Sequence, residues 1–286
     1  MGLGHGNWPD ASRHGITHWL NGDITSTNLR TLQRAGGTPD VIFHFAGGSS
    51  VGASLAQPRE DFFRTAATTA ELLEWIRLEA PGTQLVAVSS AAVYGSAFMG
   101  PIPEGAIGTP YSPYGHHKSM MEGLCRSYGS SFGVRAVVAR LFSVYGPGLR
   151  KQLLWDACSR LAAGAVELKL GGTGDELRDW TDVRDVVRAL EAVAPLAGEQ
   201  VPTVNVGTGV AVSVCQITSR LAECWVGEPG KPIPLSFDGR SRPGDPFSLV
   251  SAPGALQALG FRFEVDWRSG IAEYVQWFRS SGGAAA

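Results

Sequence analysis

The chain has 286 residues, enough for one large core or for one core with a smaller lobe. Its 44% hydrophobic and 17% charged content is that of an ordinary globular protein, and a net charge of −2 lacks the basic bias that nucleic-acid binding requires. No apolar run approaches the ~18 residues of a membrane span, and the opening stretch, with its His, Asn, Asp and Arg, has no apolar signal core.

In chain order, Gly2-Leu3-Gly4-His5-Gly6 has no strand ahead of it, and Asn7-Trp8-Pro9-Asp10 does not open an apolar helix, so the segment reads as a loop. Val41 to Ala46 is a continuous apolar run, expected as a strand buried on both faces. Arg59 to Glu79 is expected as one helix, with Phe62, Phe63, Leu72, Leu73 and Ile76 as its apolar stripe and Pro81-Gly82 behind it. Leu85 to Val88 is the next buried strand, and Gly100 to Pro113 a Gly/Pro-rich loop. A helix follows from Pro113 to about Phe132, closed by Gly133. Ala136 to Leu141 is again strand. This alternation predicts an α/β fold built on a doubly wound parallel sheet.

Beyond residue 147 the pattern loosens into a mixed lobe. Leu153 to Ala163, Asp182 to Val193, Val212 to Val226 and Trp267 to Phe278 read as helices, and Val166 to Leu170 and Thr203 to Val206 as strands. The expected organisation is a first domain over 1–147 with parts of 175–210, a small lobe over 148–174 and 211–280, and a polar, disordered tail at 281–286. There is no internal repeat. Cys125, Cys158, Cys215 and Cys224 have no metal-ligand spacing. They read as buried, reduced thiols of a cytoplasmic protein, and no metal site is expected.

The chemistry concentrates at Tyr114-Gly115-His116-His117-Lys118. Tyr and Lys four residues apart share one helix face, and a Lys cation beside a phenol lowers its pKa toward neutrality. The pair follows an apolar strand ending in Ser89-Ser90 at about the distance of one βα unit. A solvated helix face is the alternative for the Tyr and Lys, and a turn-capping hydroxyl the alternative for Ser90. Ser89 reads as structural, and His116 and His117 as helix-surface residues.

With this core, the segments Gly22-Asp23-Ile24, Val41 to Gly48, Arg140 to Gly148, Arg178 to Val186, Asn205 to Gly209 and Arg242-Pro243-Gly244-Asp245 fall in one order. That order resembles the extended short-chain dehydrogenase/reductase family, which includes the UDP-galactose 4-epimerases and related nucleotide-sugar enzymes. The resemblance implies a Rossmann-like cofactor domain and a substrate-binding lobe. It also implies about forty further residues ahead of Gly22, carrying the strand, Gly-rich turn and helix that cradle a pyrophosphate. Their loss would expose an edge of the parallel sheet. A misplaced start and a genuinely shortened product are the two explanations.

By the same resemblance, Ser90, Tyr114 and Lys118 are the catalytic residues. Asp23, Ile24, Phe45, Ala46, Gly47, Thr65, Val88, Tyr114, Lys118, Leu141 and Val144 would hold the cofactor, NAD with NADP as the alternative. Ser90, Ala91, Ser143, Arg178, Arg242 and Asp245 would hold a nucleotide sugar. The two arginines suit a diphosphate because a guanidinium fork matches its oxygens; a surface ion pair with Asp179 or Asp245 is the alternative. Thr65, Thr68 and Ser143 replace the family's usual Asn, Gly and Asn. Leu170 stands where many relatives place an aromatic under uracil. Ala91 and Ala92 cannot do the acid/base work that dehydration needs. The implied function is therefore epimerisation, with net reduction or dehydrogenation, or a non-catalytic truncated homologue, as alternatives. A homodimer through the segments around 59–79 and 113–132 is the implied assembly.

Overall fold

The computed structural model describes residues 1–5, 14–227, 232–240 and 245–281. The element order opens with β1 (Gly2–Gly4), β2 (Trp19–Asn21), α1 (Ser26–Gly36), β3 (Val41–His44), α2 (Val51–Ala56), α3 (Pro58–Phe62), α4 (Thr68–Glu79) and β4 (Gln84–Ser90). It continues with β5 (Ile102–Pro103), α5 (Pro113–Phe132), β6 (Ala136–Leu141), β7 (Ser143–Tyr145), α6 (Gln152–Ala162), β8 (Leu168–Leu170), β9 (Leu177–Asp182) and α7 (Val183–Val193). It closes with β10 (Thr203–Val206), β11 (Ala211–Ser213), α8 (Val214–Val226), β12 (Leu235–Phe237), β13 (Ser248–Leu249), β14 (Ser251–Ala252), α9 (Gly254–Ala258) and α10 (Trp267–Ser280).

Two compact units result. The first comprises 1–93, 110–140 and 193–204, and the second 94–109, 141–192 and 205–286. A four-stranded sheet runs in the order β10-β6-β4-β3, with β3 and β4 parallel in the register Val41↔Gln84. Within the first unit, Leu85 and Ala87 of β4 and Ala136 and Val138 of β6 pack with Leu29 of α1, Leu72, Leu73 and Ile76 of α4, and Met121 and Cys125 of α5. This is the expected parallel α/β arrangement.

Three expectations change here. β3 is not buried on both faces: Val41 and Ile42 are half-buried and Phe43 is 37% exposed, because among the described residues β3 ends the strand order, next to β4 alone. Gly2–Gly4 is a strand rather than a loop, paired parallel with Trp19–Asn21 and started by the Gly2 N–H on the His18 carbonyl at 2.8 Å. The helix expected over 59–79 is broken by a π-turn at Phe63–Ala67 between α3 and α4. That turn rotates the chain, so Phe62 and Phe63 leave the core face and stand exposed while Leu72, Leu73 and Ile76 stay buried.

Helix α5 matches its sequence signals. The Ser112 hydroxyl caps the Gly115 N–H at 3.2 Å, Pro113 occupies the first turn, and Gly133 takes the left-handed conformation (φ 70°) that ends it. In the second unit, Tyr145, Leu154, Cys158, Leu161, Leu168, Ile217, Leu221, Ile271, Tyr274 and Phe278 form a separate core. Cys125 and Cys158 are buried as expected. Cys215 is exposed in the first turn of α8, and Cys224, on the opposite side of that helix, packs half-buried against the second core. No helix among the described residues is long and apolar enough to cross a membrane. Most of the tail, 282–286, lies outside the described residues.

Candidate active site

β4 carries Ser89 and Ser90 at its end, and α5 presents Tyr114 in its first turn and Lys118 one turn later. The Tyr114 N–H donates to the buried Ser54 hydroxyl at 3.1 Å, and its phenol is hydrogen-bonded to Ser90. Lys118 is only 4% exposed, and its Nζ donates to the Val88 carbonyl at 2.8 Å. Beneath it runs the turn Ala46-Gly47-Gly48. A Cβ on Gly47 (φ 147°) would stand 3.0 Å from Lys118 Nζ and 3.2 Å from Thr65 Oγ1. The Thr65 hydroxyl accepts the Gly48 N–H at 2.7 Å, so Thr pins this turn. The structure thus gathers Gly47, Thr65, Val88, Ser90, Tyr114 and Lys118.

The electrostatics differ from the sequence expectation in one respect. The Lys118 cation does not dominate the phenol. Burial pushes the Tyr114 phenol up and the Ser90 hydrogen bond pulls it down, while Asp61 raises it further. Burial also pulls the Lys118 ammonium down to about 8, against the opposing charges of Asp61 and Glu122. His44, at the end of β3, is 2% exposed with Nε2 2.9 Å from Thr69 Oγ1. Burial first, then the Lys118 charge, push it down to about 3, so it is neutral.

Two buried pairs flank this cluster, and neither was read from sequence. Glu122 is 1% exposed. It accepts Ser89 Oγ at 2.7 Å and Arg140 Nε and Nη2 at 2.9 and 2.7 Å. Burial raises its carboxyl, but the bonds from Arg140, Ser89 and Arg126 outweigh that and hold it below the usual range. Its place four residues after Lys118 was the available signal. His117 is not a surface residue: its ring Nδ1 lies 2.6 Å from Asp61 Oδ2, with the two side chains 12% and 5% exposed. The helix α3 brings Asp61 there, which no local spacing announces. His116 is exposed, as expected.

Other proposed cofactor residues are dispersed. Asp23 is exposed with its carboxylate 2.7 Å from His5 Nε2. Ile24 packs partly buried on the first core, Phe45 is 60% exposed, and Leu141 is half-buried at the end of β6. Ala91 is buried in a 3-10 turn with Ala92.

The second unit holds a cavity of about 550 Å³ lined by Ser143, Val144, Arg178 and Asp245 from the proposed set, with Leu170 beside them. Lys151, Arg160, Lys169 and Arg240 add cationic groups, and Asp156 and Glu176 anionic ones. Arg178 Nη1 donates to the carbonyls of Leu177 at 2.8 Å and Phe247 at 3.3 Å. Arg242 lies outside the described residues. Asp179, the ion-pair alternative for Arg178, is fully buried. It accepts the N–H groups of Thr208 (2.7 Å), Gly209 (2.9 Å) and Ser251 (3.1 Å) and the hydroxyls of Thr208 (2.8 Å) and Ser251 (2.6 Å). Its work is to hold the Gly207–Gly209 turn. Among the described residues no cluster of His, Cys, Asp and Glu could bind a metal ion.

A parallel α/β unit with Ser at a strand end and Tyr-x-x-x-Lys on the next helix defines a short-chain dehydrogenase/reductase-type enzyme. Comparison with known proteins places it more narrowly. The profile of the NAD dependent epimerase/dehydratase family matches residues 4–207, and the chain belongs to that family. It is 30% identical to a UDP-glucose 4-epimerase of Azospirillum brasilense, over 91% of this chain and 79% of that protein. It is equally 30% identical to a dTDP-glucose 4,6-dehydratase of an Actinoplanes strain, over 98% of this chain and 86% of the other. Among solved structures it is similar to MoeE5 in complex with UDP-glucose and NAD (TM-score 0.82, 28% identity, 98% of this chain and 99% of that one).

Proposed function

We propose that the chain is an NAD-dependent nucleotide-sugar epimerase in which Tyr114 is the acid/base. The observation that carries this reading is the Ser90–Tyr114–Lys118 cluster over the side-chain-free turn at Gly47. A buried ammonium, a phenol and a turn without side chains fit the nicotinamide-ribose end of NAD. Lys118 would hold that ribose, with Gly47, Thr65 and Val88 around it. When bound, NAD supplies reversible hydride chemistry.

The protein's own part is proton transfer and positioning. Tyr114 takes the proton from the sugar hydroxyl and returns it after the sugar has turned its other face. Ser90 hydrogen-bonds the same oxygen. The phenol is raised by burial, and the Ser90 hydrogen bond is what eases release of its proton. The cationic side chains of the second unit's cavity, Arg178 foremost, suit the diphosphate of a nucleotide sugar. Ala91 and Ala92 favour epimerisation over dehydration, since neither can protonate a leaving hydroxyl.

The test is incubation with NAD and UDP-glucose or dTDP-glucose. The 4-epimer is expected, and Tyr114→Phe should cut its rate by a factor of about 10² to 10⁴. A 4-keto-6-deoxy product would mean dehydration instead, and unchanged turnover by Tyr114→Phe would sink the assignment. Two further proposals accompany it. Exposed Phe62, Phe63 and Met120 support a homodimer through α3, the π-turn and α5, which sedimentation would test. Free thiols at all four cysteines support a reducing, cytoplasmic setting.

A further inference from the structure

We propose that Asp61, anchored by His117, is a positioning residue of the Tyr114–Lys118 pair: a buried counter-charge that keeps the Lys118 ammonium charged inside the fold. This rests on the reading of Tyr114 and Lys118 as the acid/base pair. Asp61 sits in the last turn of α3, directly ahead of the π-turn that aims Thr65 at the Gly48 N–H. Single-turn π insertions gather at functional positions. Its carboxylate is wedged against the glycine turn: a Cβ on Gly48 would fall 1.7 Å from Asp61 Oδ1. The neighbouring glycine, Gly47, meets Lys118 Nζ in the same way. One dipeptide therefore touches a buried carboxylate on one side and a buried ammonium on the other.

The second oxygen of Asp61 is taken by His117. A carboxylate only accepts, so the His117 Nδ1–H is the donor at 2.6 Å. His117 lies between Tyr114 and Lys118 on the same helix, so its grip on Asp61 sets where the carboxylate stands relative to both. Phe62 packs edge-on against the imidazole at 5.5 Å and screens it. The charged and titratable groups facing this corner are Tyr114, His117, Lys118 and Glu122 from α5 and His44 from β3. His44 is neutral, so it neither competes with Lys118 nor neutralises Asp61. The Asp61 charge favours the protonated forms of both Lys118 and Tyr114.

The test does not depend on turnover. The chain has four lysines. Protein grown with lysine labelled at Cε gives one resonance for each, and Lys118→Met identifies that of Lys118. The wild-type midpoint is expected at about 8. In Asp61→Asn it should fall by about one pH unit, as loss of a nearby opposite charge requires. His117→Gln, which keeps a side-chain N–H donor, should hold the wild-type midpoint. An unchanged Lys118 midpoint in folded Asp61→Asn overturns the proposal: a merely structural Asp61 would lower Tm and leave Lys118 where it was. If Asp61→Asn does not fold, Asp61→Ser makes the same measurement. Turnover by Tyr114→Phe would sink the epimerase mechanism while leaving this titration intact, so the two failures are distinguishable.

Discussion

Arg140→Met should be among the most damaging single changes in the first unit. Arg140 grips the Glu122 carboxylate through two parallel N–H bonds of 2.9 and 2.7 Å, with both side chains nearly sealed from water. Breaking one side of a buried pair costs about 3–5 kcal/mol, because the remaining charge stays desolvated. Here the carboxylate keeps Ser89 Oγ at 2.7 Å and Arg126 Nη2 at 2.9 Å, the latter on a half-exposed side chain. That retained support places the cost near the lower end, about 3 kcal/mol. In a chain of this size it corresponds to a fall in Tm of about 6–12 °C.

The pH dependence fixes the cause. In the wild type the Glu122 carboxyl lies below its usual value, so its contribution to stability is present above the unfolded pKa and is lost as pH falls through the folded pKa. Without Arg140, burial dominates and the carboxyl rises, so the folded variant takes up a proton earlier. The penalty should be largest near neutrality and shrink as the solution is acidified toward the carboxylate range. Glu122→Leu combined with Arg140→Met should recover about 2 kcal/mol of the loss, since no charge is left stranded. Urea titrations of both variants at two pH values measure this. A loss below about 1 kcal/mol near neutral pH, or no recovery in the double variant, would refute the account.

The remaining predictions concern other elements. Gly123→Ala in α5 meets open space and should stabilise by up to about 1 kcal/mol, whereas Gly129→Ala would bring a Cβ to 2.3 Å from the Glu199 carbonyl and should destabilise despite the same gain in helix propensity; thermal melts separate the two. Lys118→Met should abolish turnover yet raise stability near pH 7 by roughly 1–2 kcal/mol, the relieved burial of a charge less one lost hydrogen bond. The sign follows from a depressed lysine: below about 8 both states are charged and the fold carries the penalty, which fades as pH rises from there toward 10.5, so the gain should vanish in alkali. Asp179→Asn should cost about 2–4 kcal/mol in denaturant titrations, because an amide has one acceptor oxygen for the donors of Thr208, Gly209 and Ser251 and turns an N–H toward the others.

These sites also show where local reading succeeds. Helix α5 was legible end to end because its start and stop are written in adjacent residues, Ser112-Pro113 and Gly133. The same periodicity brought Tyr114 and Lys118 onto one face, and it would have added Glu122 had the four-residue step been taken once more. The parallel sheet was legible from apolar runs, whereas strands of two or three residues such as Gly2–Gly4 are too short to show any period. The π-turn at Phe63–Ala67 was not legible, since Arg59 to Glu79 reads as an unbroken helix, and the stripe containing Phe62 and Phe63 was consequently misplaced.

What escaped has one cause. Asp61 and His117 are 56 positions apart and meet only because α3 and α5 cross the same glycine turn. An ion pair with Asp179 was the alternative reading for Arg178, yet successive residues of a strand point to opposite sides, and Asp179 serves a turn and Ser251 while Arg178 lines the cavity. Spacing announces chemistry shared along one element; counter-charges supplied across elements are set by packing. In this chain the proposed proton-transfer residues belong to the first kind and the buried charged groups packed around them to the second. Substitutions at Asp61, Glu122 or Arg140 should therefore move pH profiles and stability while the Ser90–Tyr114–Lys118 motif stays intact.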